Sequence, residues 1–325
     1  MGGNSHPVVT MSPFPEKIGF LFPGQGAQYV GMGKDLYETF PAAKKVFDRA
    51  DALLGFSIKE LCFQGPGDKL TQTLYAQPGI FVTSVAALAA LQEKFPGTRP
   101  RFAAGLSLGE FSALVAAESL SFEDGLTLVQ KRAEAMEKSA QNHPGTMASV
   151  MGLDQAACEQ IAKEAGCEIA NLNAQDQIVL SGSFETIQKA CQLAEAKGAK
   201  RAIPLKVGGA FHSTLMQDAK EDLEKALRNV TIREPRCAFI PNALGSKVSD
   251  PNQIRELLAK QLMSSFRWVQ TMTQASNEGL ALSLEVGPGK VLKGLARKSA
   301  PNMNVEPCGT ADDIQKLEKN LIKVS

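Results

Sequence analysis

Short apolar runs alternate with segments of helical periodicity through most of the 325-residue chain. The runs at 18–22 and 102–104 are apolar throughout, which is typical of strands buried on both faces of a parallel sheet, and a further strand is predicted at 282–286. Between them, apolar residues recur at helical spacing over 32–54 and 80–95. Strands separated by helices in this way predict an α/β fold, with a parallel sheet covered on both sides.

The pattern changes after residue 145. Strands are predicted at 146–153, 168–173, 177–181 and 201–207, and helices at 154–165 and 184–198, which gives the order β-α-β-β-α-β of a ferredoxin-like unit. The α/β pattern then returns at 214. We therefore predict a large domain formed by 17–144 and 208–325, an inserted ferredoxin-like small domain of 145–207, and a disordered tail at 1–16. The cleft between the two domains is the expected ligand site.

The stretch from Phe102 to Ala117 carries the strongest chemical signal. It reads FAAGLSLGEFSALVAA, so a GxSxG sequence centred on Ser107 lies between an apolar strand and an apolar helix. In that context the motif indicates a nucleophile elbow, in which glycines leave the serine uncrowded and the helix start offers free backbone N–H groups. The alternative is an ordinary strand–helix connection in which Ser107 only caps the helix.

A serine hydroxyl becomes a good nucleophile when a base accepts its proton, and histidine is the usual base. His6 lies in the predicted tail and His143 in a turn-like NHPG sequence, whereas His212 follows a glycine-rich bend between an apolar strand and a helix. His212 is therefore the predicted base, the alternative being an imidazole packed beside Phe211. No acidic residue stands out as a third triad member, and a backbone carbonyl can also orient the imidazole.

Composition argues against several other classes of function. A formal net charge of +1 gives no field that would recruit nucleic acid or a membrane. The six cysteines form no CxxC pair, so neither a metal site nor a redox dithiol is expected. The longest apolar run, 79–91, is shorter than a membrane span, and no secretory signal is recognised. We expect a cytoplasmic protein, and a monomer because no exposed heptad pattern or long apolar edge is evident.

Four motifs together resemble a known family. FPGQGAQ after the first strand, GLSLGEF around Ser107, GAFHS around His212 and EVGPGKVL near the end occur in the order found in malonyl-CoA:acyl carrier protein transacylases and in the related acyltransferase domains of polyketide synthases. The resemblance runs from Lys17 to the last predicted helix. It implies an α/β-hydrolase-like large domain with a ferredoxin-like insertion. It also implies transfer of malonyl from malonyl-CoA to the phosphopantetheine thiol of acyl carrier protein, through a malonyl-serine ester, in fatty-acid biosynthesis.

The resemblance also implies roles for individual residues of the reaction centre. Ser107 corresponds to the nucleophile and His212 to its base, which the backbone carbonyl of Gln261 orients. The backbone N–H groups of Gln25 and Leu108 correspond to the oxyanion hole. No bound cofactor is implied, because malonyl-CoA and the phosphopantetheinyl carrier are substrates.

The acyl pocket is the other part of the site that the resemblance implies. Arg132 matches the residue that binds the malonyl carboxylate. The planar guanidinium can contact both carboxylate oxygens, which the point charge of a lysine cannot do. Met136 shares its helix face and would line the pocket, and Phe211 would favour malonyl over a branched methylmalonyl group. Asn171 and Asn173 match positions beside the acyl group.

The residues alone leave other interpretations open. From the sequence alone, Arg132 could be a surface arginine paired with Glu110 or Glu134. Gln25 could be a loop amide without a role, and Met136 could be an ordinary core residue. A serine esterase or thioesterase would share the elbow and the base. A non-catalytic scaffold that binds the carrier protein is the other alternative function.

Overall fold

The computed structural model describes Phe14 and residues 17–280 and 282–322. The predicted disordered tail, His6 included, lies outside the described residues apart from Phe14. The elements, in chain order, are β1 (Ile18–Phe22), α1 (Lys34–Thr39), α2 (Pro41–Leu54), α3 (Ile58–Gln64), α4 (Gly67–Thr71), α5 (Thr73–Lys94), β2 (Phe102–Gly105), α6 (Gly109–Ala116), α7 (Phe122–Asn142), β3 (Thr146–Met151), α8 (Gln155–Ala165), β4 (Glu168–Ala174), β5 (Gln177–Gly182), α9 (Phe184–Ala196), β6 (Arg201–Pro204), α10 (Gln217–Leu227), β7 (Ala238–Phe239), α11 (Pro251–Lys260), α12 (Trp268–Asn277), β8 (Leu282–Val286), α13 (Val291–Ser299), β9 (Val305–Cys308) and α14 (Ala311–Ile322).

The larger sheet is parallel and has the strand order β7-β2-β1-β8-β9. Its central strands β1 and β8 are buried at every position, as expected of strands covered on both faces. Helices α2 and α7 pack against the long helix α5, which forms much of the core. The predicted α/β fold with a parallel sheet is therefore confirmed.

Helix α5 is the one element of the described residues that is long and apolar enough to cross a membrane by length and composition. Within the protein, however, 83% of its most apolar window is buried, which is the position of a core helix. It begins at Thr73 and continues through Pro78. The prediction of a helix starting at 80 is therefore wrong at its N-terminal end, because the proline lies inside the helix and does not precede it.

The region before α5 also differs from the prediction. The segment 32–54 forms two helices, because Phe40 adopts an extended backbone and Pro41 starts α2 at a position where its missing N–H is not needed. The short helices α3 and α4 follow, where the sequence pattern predicts no element.

The smaller sheet is antiparallel and has the order β4-β5-β3-β6. Helices α8 and α9 cover one face around Ile161 and Leu180. Residues of its other face, among them Met147 and Val179, belong to the main core. The four strands lie within 145–207, and the division of the chain into two domains stays a prediction.

Edge strand β4 is joined to the segment that precedes α12. The backbone N–H of Phe266 donates to the carbonyl of Ala170 at 2.7 Å, and that of Leu172 donates to the carbonyl of Phe266 at 2.8 Å. These bonds satisfy polar groups that an edge strand would otherwise expose. They also fix the smaller sheet beside the C-terminal edge of the larger one, where β2 ends.

Candidate active site

Ser107 lies at the sharp turn between β2 and α6. Its φ of 51° falls in the left-handed region, which residues other than glycine rarely adopt. Both glycines of the turn are needed, because a side chain at either position would clash with the backbone. A Cβ on Gly105 would lie 1.9 Å from the carbonyl carbon of Gly109, and a Cβ on Gly109 would lie 2.2 Å from the carbonyl oxygen of Phe22. The turn thus presents the serine at the C-terminal edge of the parallel sheet, where α/β proteins bind ligands.

Ser107 and His212, 105 positions apart in the chain, meet at this edge. The serine Oγ lies 3.0 Å from His212 Nε2, and His212 Nδ1 lies 2.9 Å from the backbone carbonyl oxygen of Gln261. A carbonyl oxygen only accepts, so Nδ1 carries the ring proton and Nε2 is free to accept the serine proton. His143, by contrast, is exposed and lies 3.3 Å from Asp218.

Burial keeps the imidazole neutral. Desolvation and the nearby Arg132 guanidinium lower the pKa of His212 to about 4, and the hydrogen bond to the Gln261 carbonyl acts in the opposite direction. The backbone of His212 is also left-handed, with φ 59°. At neutral pH the ring is therefore an unprotonated base beside the serine hydroxyl.

Arg132 is buried on α7, so its interpretation as a surface arginine is wrong. Its Nη2 donates to Ser107 Oγ at 2.8 Å and to Gln261 Oε1 at 2.9 Å, and its Nη1 donates to Gln77 Oε1 at 2.7 Å. Its Nε has no hydrogen-bond partner among the described residues. A buried guanidinium with an unused N–H near the serine can donate to the oxygens of a carboxylate.

In the described part of the chain, neither Glu110 nor Glu134, the two possible ion-pair partners of Arg132, forms an ion pair with it. Glu134 binds Lys131 Nζ at 2.7 Å on the outer face of α7. Glu110 is buried and accepts a hydrogen bond from the side-chain amide of Gln261, which in turn accepts one from Arg132. The carboxylate and the guanidinium are therefore linked through an amide.

A cleft of about 150 Å³ opens onto Ser107. Arg132, Met136, Phe211 and Asn171, all predicted to bind substrate, line it. The lining also includes Lys206, so its charged side chains are cationic. An anionic acyl group would enter this cleft without meeting a carboxylate of the lining.

Asn173 does not line the cleft, although the resemblance places it beside the acyl group. It is buried, and its Oδ1 has no partner among the described residues. The pairing of β4 with β5 shifts register between Ile169 and Asn171 and again between Leu172 and Ala174. Because such irregularities break the alternation of faces along a strand, Asn171 and Asn173 need not point the same way.

The loop after β1 lies directly against the elbow. A Cβ on Gly24 would lie 2.2 Å from the carbonyl oxygen of Leu106. Within residues 17–280 and 282–322, the backbone N–H groups of Gln25 and Leu108 have no protein acceptor. Two free N–H groups next to the nucleophile are what an oxyanion hole requires.

Three polar residues of this site were given no role in it from the sequence, although Glu110 was named as a possible surface partner of Arg132. Gln77 on α5 is buried and binds Arg132, and Glu110 on α6 is buried beside Gln261. Asn242 accepts the backbone N–H of Ser107 through Oδ1 at 2.7 Å. The side chains that neighbour Gln77 on α5 and Glu110 on α6 are mostly apolar and buried. A polar side chain in such surroundings needs a buried hydrogen-bond partner. The loop that carries Asn242 offers no comparable signal.

Among the described residues, no set of three or more His, Cys, Asp or Glu side chains is arranged to hold a metal ion. All six cysteines are free thiols.

Known proteins share this architecture. The family model of the acyl transferase domain matches residues 19–322. The malonyl CoA-acyl carrier protein transacylase of Bacillus subtilis (strain 168) is 44% identical over 287 residues, which are 87% of this chain and 90% of that protein. The structure of acyl-carrier-protein S-malonyltransferase from Bartonella henselae has a TM-score of 0.89 at 38% identity, covering 94% of this chain and 99% of the other. A malonyl-transacylase in complex with its type II polyketide synthase acyl carrier protein has a TM-score of 0.90 at 32% identity, covering 94% and 99%. The chain therefore belongs to the acyl transferase domain family.

Proposed function

We propose that the protein transfers the malonyl group of malonyl-CoA to the phosphopantetheine thiol of an acyl carrier protein, in fatty-acid biosynthesis. The observation that carries the proposal is the meeting of Ser107, the neutral base His212 and the buried Arg132 on one cleft. The relatives support it, since they are named as malonyl transferases and one is solved with an acyl carrier protein.

The reaction proceeds in two half-reactions that share one base. Ser107 Oγ attacks the thioester carbonyl carbon while His212 Nε2 accepts the serine proton. The carbon–sulfur bond then breaks, the CoA thiolate takes the proton from the imidazolium, and a malonyl-serine ester remains. The phosphopantetheine thiol next gives its proton to His212 and attacks the ester, and the departing serine oxygen recovers that proton. Both acyl carriers are substrates, and the proposal includes no cofactor.

Other groups of the site stabilise the charges of the reacting groups. Gln25 and Leu108 supply the backbone N–H groups that bind the oxyanion, and removing one such donor costs about 2.7–4 kcal/mol of barrier. The backbone carbonyl of Gln261 holds the imidazole in the required tautomer, as an acid does in other triads. Arg132 binds the malonyl carboxylate through a two-point contact.

The smaller sheet and its two helices are assigned to a ferredoxin-like small domain of 145–207, inserted between 17–144 and 208–325 of an α/β-hydrolase-like large domain. The element order β3-α8-β4-β5-α9-β6 and the sheet order support this division. Its contribution to the cleft includes Asn171. The cytoplasmic location and the monomeric state stay predictions.

Mass spectrometry of the acylated protein tests the function directly. Incubation with malonyl-CoA is expected to add one malonyl group to the peptide that contains Ser107. Holo-acyl carrier protein is then expected to remove that group and to become malonylated. An adduct lost to water faster than to the carrier would identify a thioesterase instead, and the absence of any adduct would favour a non-catalytic scaffold.

Arg132→Ala is expected to lower kcat/KM for malonyl-CoA about 10²-fold more than kcat/KM for acetyl-CoA, because only malonyl presents a carboxylate to the guanidinium. Steady-state assays with both donors measure the ratio. Arg132→Lys is the matched variant, which keeps the charge but loses the planar fork. Its ratio of kcat/KM for malonyl-CoA to that for acetyl-CoA should lie between those of the wild-type protein and Arg132→Ala. An equal loss for both donors would show that Arg132 does not select the carboxylate.

Phe211→Ser is expected to reduce the preference for malonyl-CoA over methylmalonyl-CoA about tenfold, since one methyl group in a pocket is worth about 1–3 kcal/mol. The ring lies in the cleft next to His212 and takes up space that an α-methyl group would need. Competition between the two donors measures the preference. Phe211→Leu keeps most of the bulk and should change the ratio less, whereas an unchanged ratio in Phe211→Ser would contradict the assignment.

A further inference from the structure

Glu110 is a buried carboxylate at the start of α6, three residues after the nucleophile. Its Oε1 accepts the backbone N–H of Asn242, and its Oε2 accepts the side-chain Nε2 of Gln261. Both partners are N–H donors, so both oxygens act as acceptors. A protonated carboxyl would set its own O–H against one of these donors, and the arrangement therefore fits the ionised form.

The contact with Gln261 determines which way that amide points. Gln261 Nε2 faces the carboxylate and also donates to the Ser107 carbonyl at 3.0 Å, while Oε1 accepts from Arg132 at 2.9 Å. A reversed amide would place its oxygen against the carboxylate and its NH₂ group against the guanidinium. The same residue carries the backbone carbonyl that binds His212. Glu110 therefore reaches both the imidazole and the guanidinium through one side chain.

The contact with Asn242 reaches the elbow. Asn242 Oδ1 accepts the backbone N–H of Ser107 at 2.7 Å, and its Nδ2 donates to the carbonyl of Gly105 at 2.8 Å. These bonds satisfy the peptide groups on either side of Leu106, next to a residue held in a left-handed conformation. By fixing the backbone of Asn242, Glu110 supports this second set of contacts as well.

Three neighbours favour the ionised carboxylate of Glu110, whereas its burial opposes ionisation. Burial raises the pKa of Glu110 to about 8, and the Asn242 N–H, the Gln261 amide and the Arg132 charge offset only part of that rise. Burial lowers the pKa of Arg132, and the charge of Glu110 acts against that change. Each group thus favours the charged form of the other across the intervening amide.

We propose that Glu110 is a positioning residue for the acyl transfer: it holds Gln261 and Asn242, and through them it sets the imidazole, the guanidinium and the serine elbow in their reactive arrangement. The inference deepens the function proposed above and rests on it. It predicts that loss of the carboxylate disturbs two properties together, the reactivity of Ser107 and the selection of a carboxylate by Arg132.

Glu110→Gln is the first test, because it keeps the size of the side chain but turns an NH₂ group toward one of the two N–H donors. Acylation by malonyl-CoA is expected to slow about 10- to 100-fold, the range for loss of a charged hydrogen bond. The ratio of kcat/KM for malonyl-CoA to that for acetyl-CoA is expected to fall as well. Unchanged rate and ratio in the folded variant would overturn the inference.

Glu285→Gln is the matched control for burial. Glu285 is also a buried glutamate, and its two oxygens accept the backbone N–H groups of Leu292 at 2.9 Å and Lys293 at 2.8 Å, away from the cleft. Thermal unfolding should show a loss of Tm in both variants, but only Glu110→Gln should change the donor ratio. A similar change in Glu285→Gln would reduce the effect at Glu110 to general destabilisation and so overturn the inference.

A double-mutant cycle with Gln261→Leu tests the route of the effect. This change removes the amide but keeps the backbone carbonyl that binds His212. If Glu110 acts on Arg132 through this amide, the double variant should show a donor ratio close to that of either single variant, so that the effects do not add. Additive effects would contradict the route.

A fluorophosphonate probe separates this inference from the proposed function. The probe reacts with a serine activated by a base, whatever acyl group the protein uses. Glu110→Gln is expected to react about tenfold more slowly than the wild-type protein. If the wild-type protein reacts with the probe but not with malonyl-CoA, the proposed function fails while the slower reaction of the variant still supports the positioning role. Equal probe rates in both proteins would contradict that role.

Discussion

Replacement of Ser107 by alanine is expected to lower malonyl transfer about 10⁴-fold or more, because the oxygen that forms the acyl ester is removed. The intact mass of Ser107→Ala should not change after incubation with malonyl-CoA, and carrier protein should not become malonylated. Alanine and serine carry similar steric costs at the left-handed φ of 51°, so the turn should be kept and Tm should fall only through the lost hydrogen bond from Arg132 to Ser107 Oγ. A variant that still forms the covalent adduct would disprove the assignment of the nucleophile.

Ser112→Ala is the matched control for this change. Ser112 lies on α6, the helix that follows the elbow, and is buried away from the cleft, and its Oγ has no hydrogen-bond partner among the described residues. Its replacement should leave both the adduct and the rate of transfer at the wild-type level. The comparison separates loss of the attacking oxygen from a small change in helix packing.

The features that could be predicted from the sequence are those with a local cause. The strand at 282–286 has the predicted limits because it ends directly at a Gly-Pro-Gly turn. The elbow could be predicted because GxSxG lies between an apolar strand and an apolar helix, and because Gly105 approaches the backbone of Gly109 only four residues away. Helix α7 starts where Ser121 caps it, as the acidic first turn suggests.

The features that could not be predicted depend on distant parts of the chain. The pattern of α7 does not reveal that Arg132 is buried, because the groups that receive its hydrogen bonds come from α5, the elbow and the turn after α11. Glu110 and Asn242 are joined across 132 positions. The two register shifts beside Asn171 and Asn173 depend on pairing with β5. In each case tertiary contacts decide a placement on which the local sequence is silent.

The positions of Ser107 and His212 lie between these two cases. Elimination among three histidines and the resemblance to acyltransferases both favour His212, but neither gives a distance. The observed 3.0 Å contact depends on the left-handed backbone at both residues and on the Gln261 carbonyl that holds the ring. Their roles in catalysis stay proposals, which replacement of each residue by alanine tests.

His212→Ala is expected to slow acylation of Ser107 about 10³- to 10⁴-fold, since a positioned general base contributes about 10²- to 10⁴-fold and acts here in the same step as the nucleophile. Stopped-flow acylation with malonyl-CoA measures the rate. His143→Ala is the matched control, because that imidazole is exposed, is paired with Asp218 and does not line the cleft. Equal rates in the two variants would exclude His212 as the base.

The pH dependence of the wild-type protein gives the same prediction a second, independent measurement. Because burial and Arg132 lower the pKa of His212 from 6.5 to about 4, the neutral base predominates above that pH and acylation should fall only as the pH drops through about 4. Between 6.5 and 4 the unfolded chain binds a proton that the folded protein does not, so this residue makes the free energy of unfolding decrease as the pH is lowered through that window. A rate midpoint near 6.5 would contradict a buried, neutral imidazole, and loss of the midpoint in His212→Ala but not in His143→Ala would assign it to the proposed base.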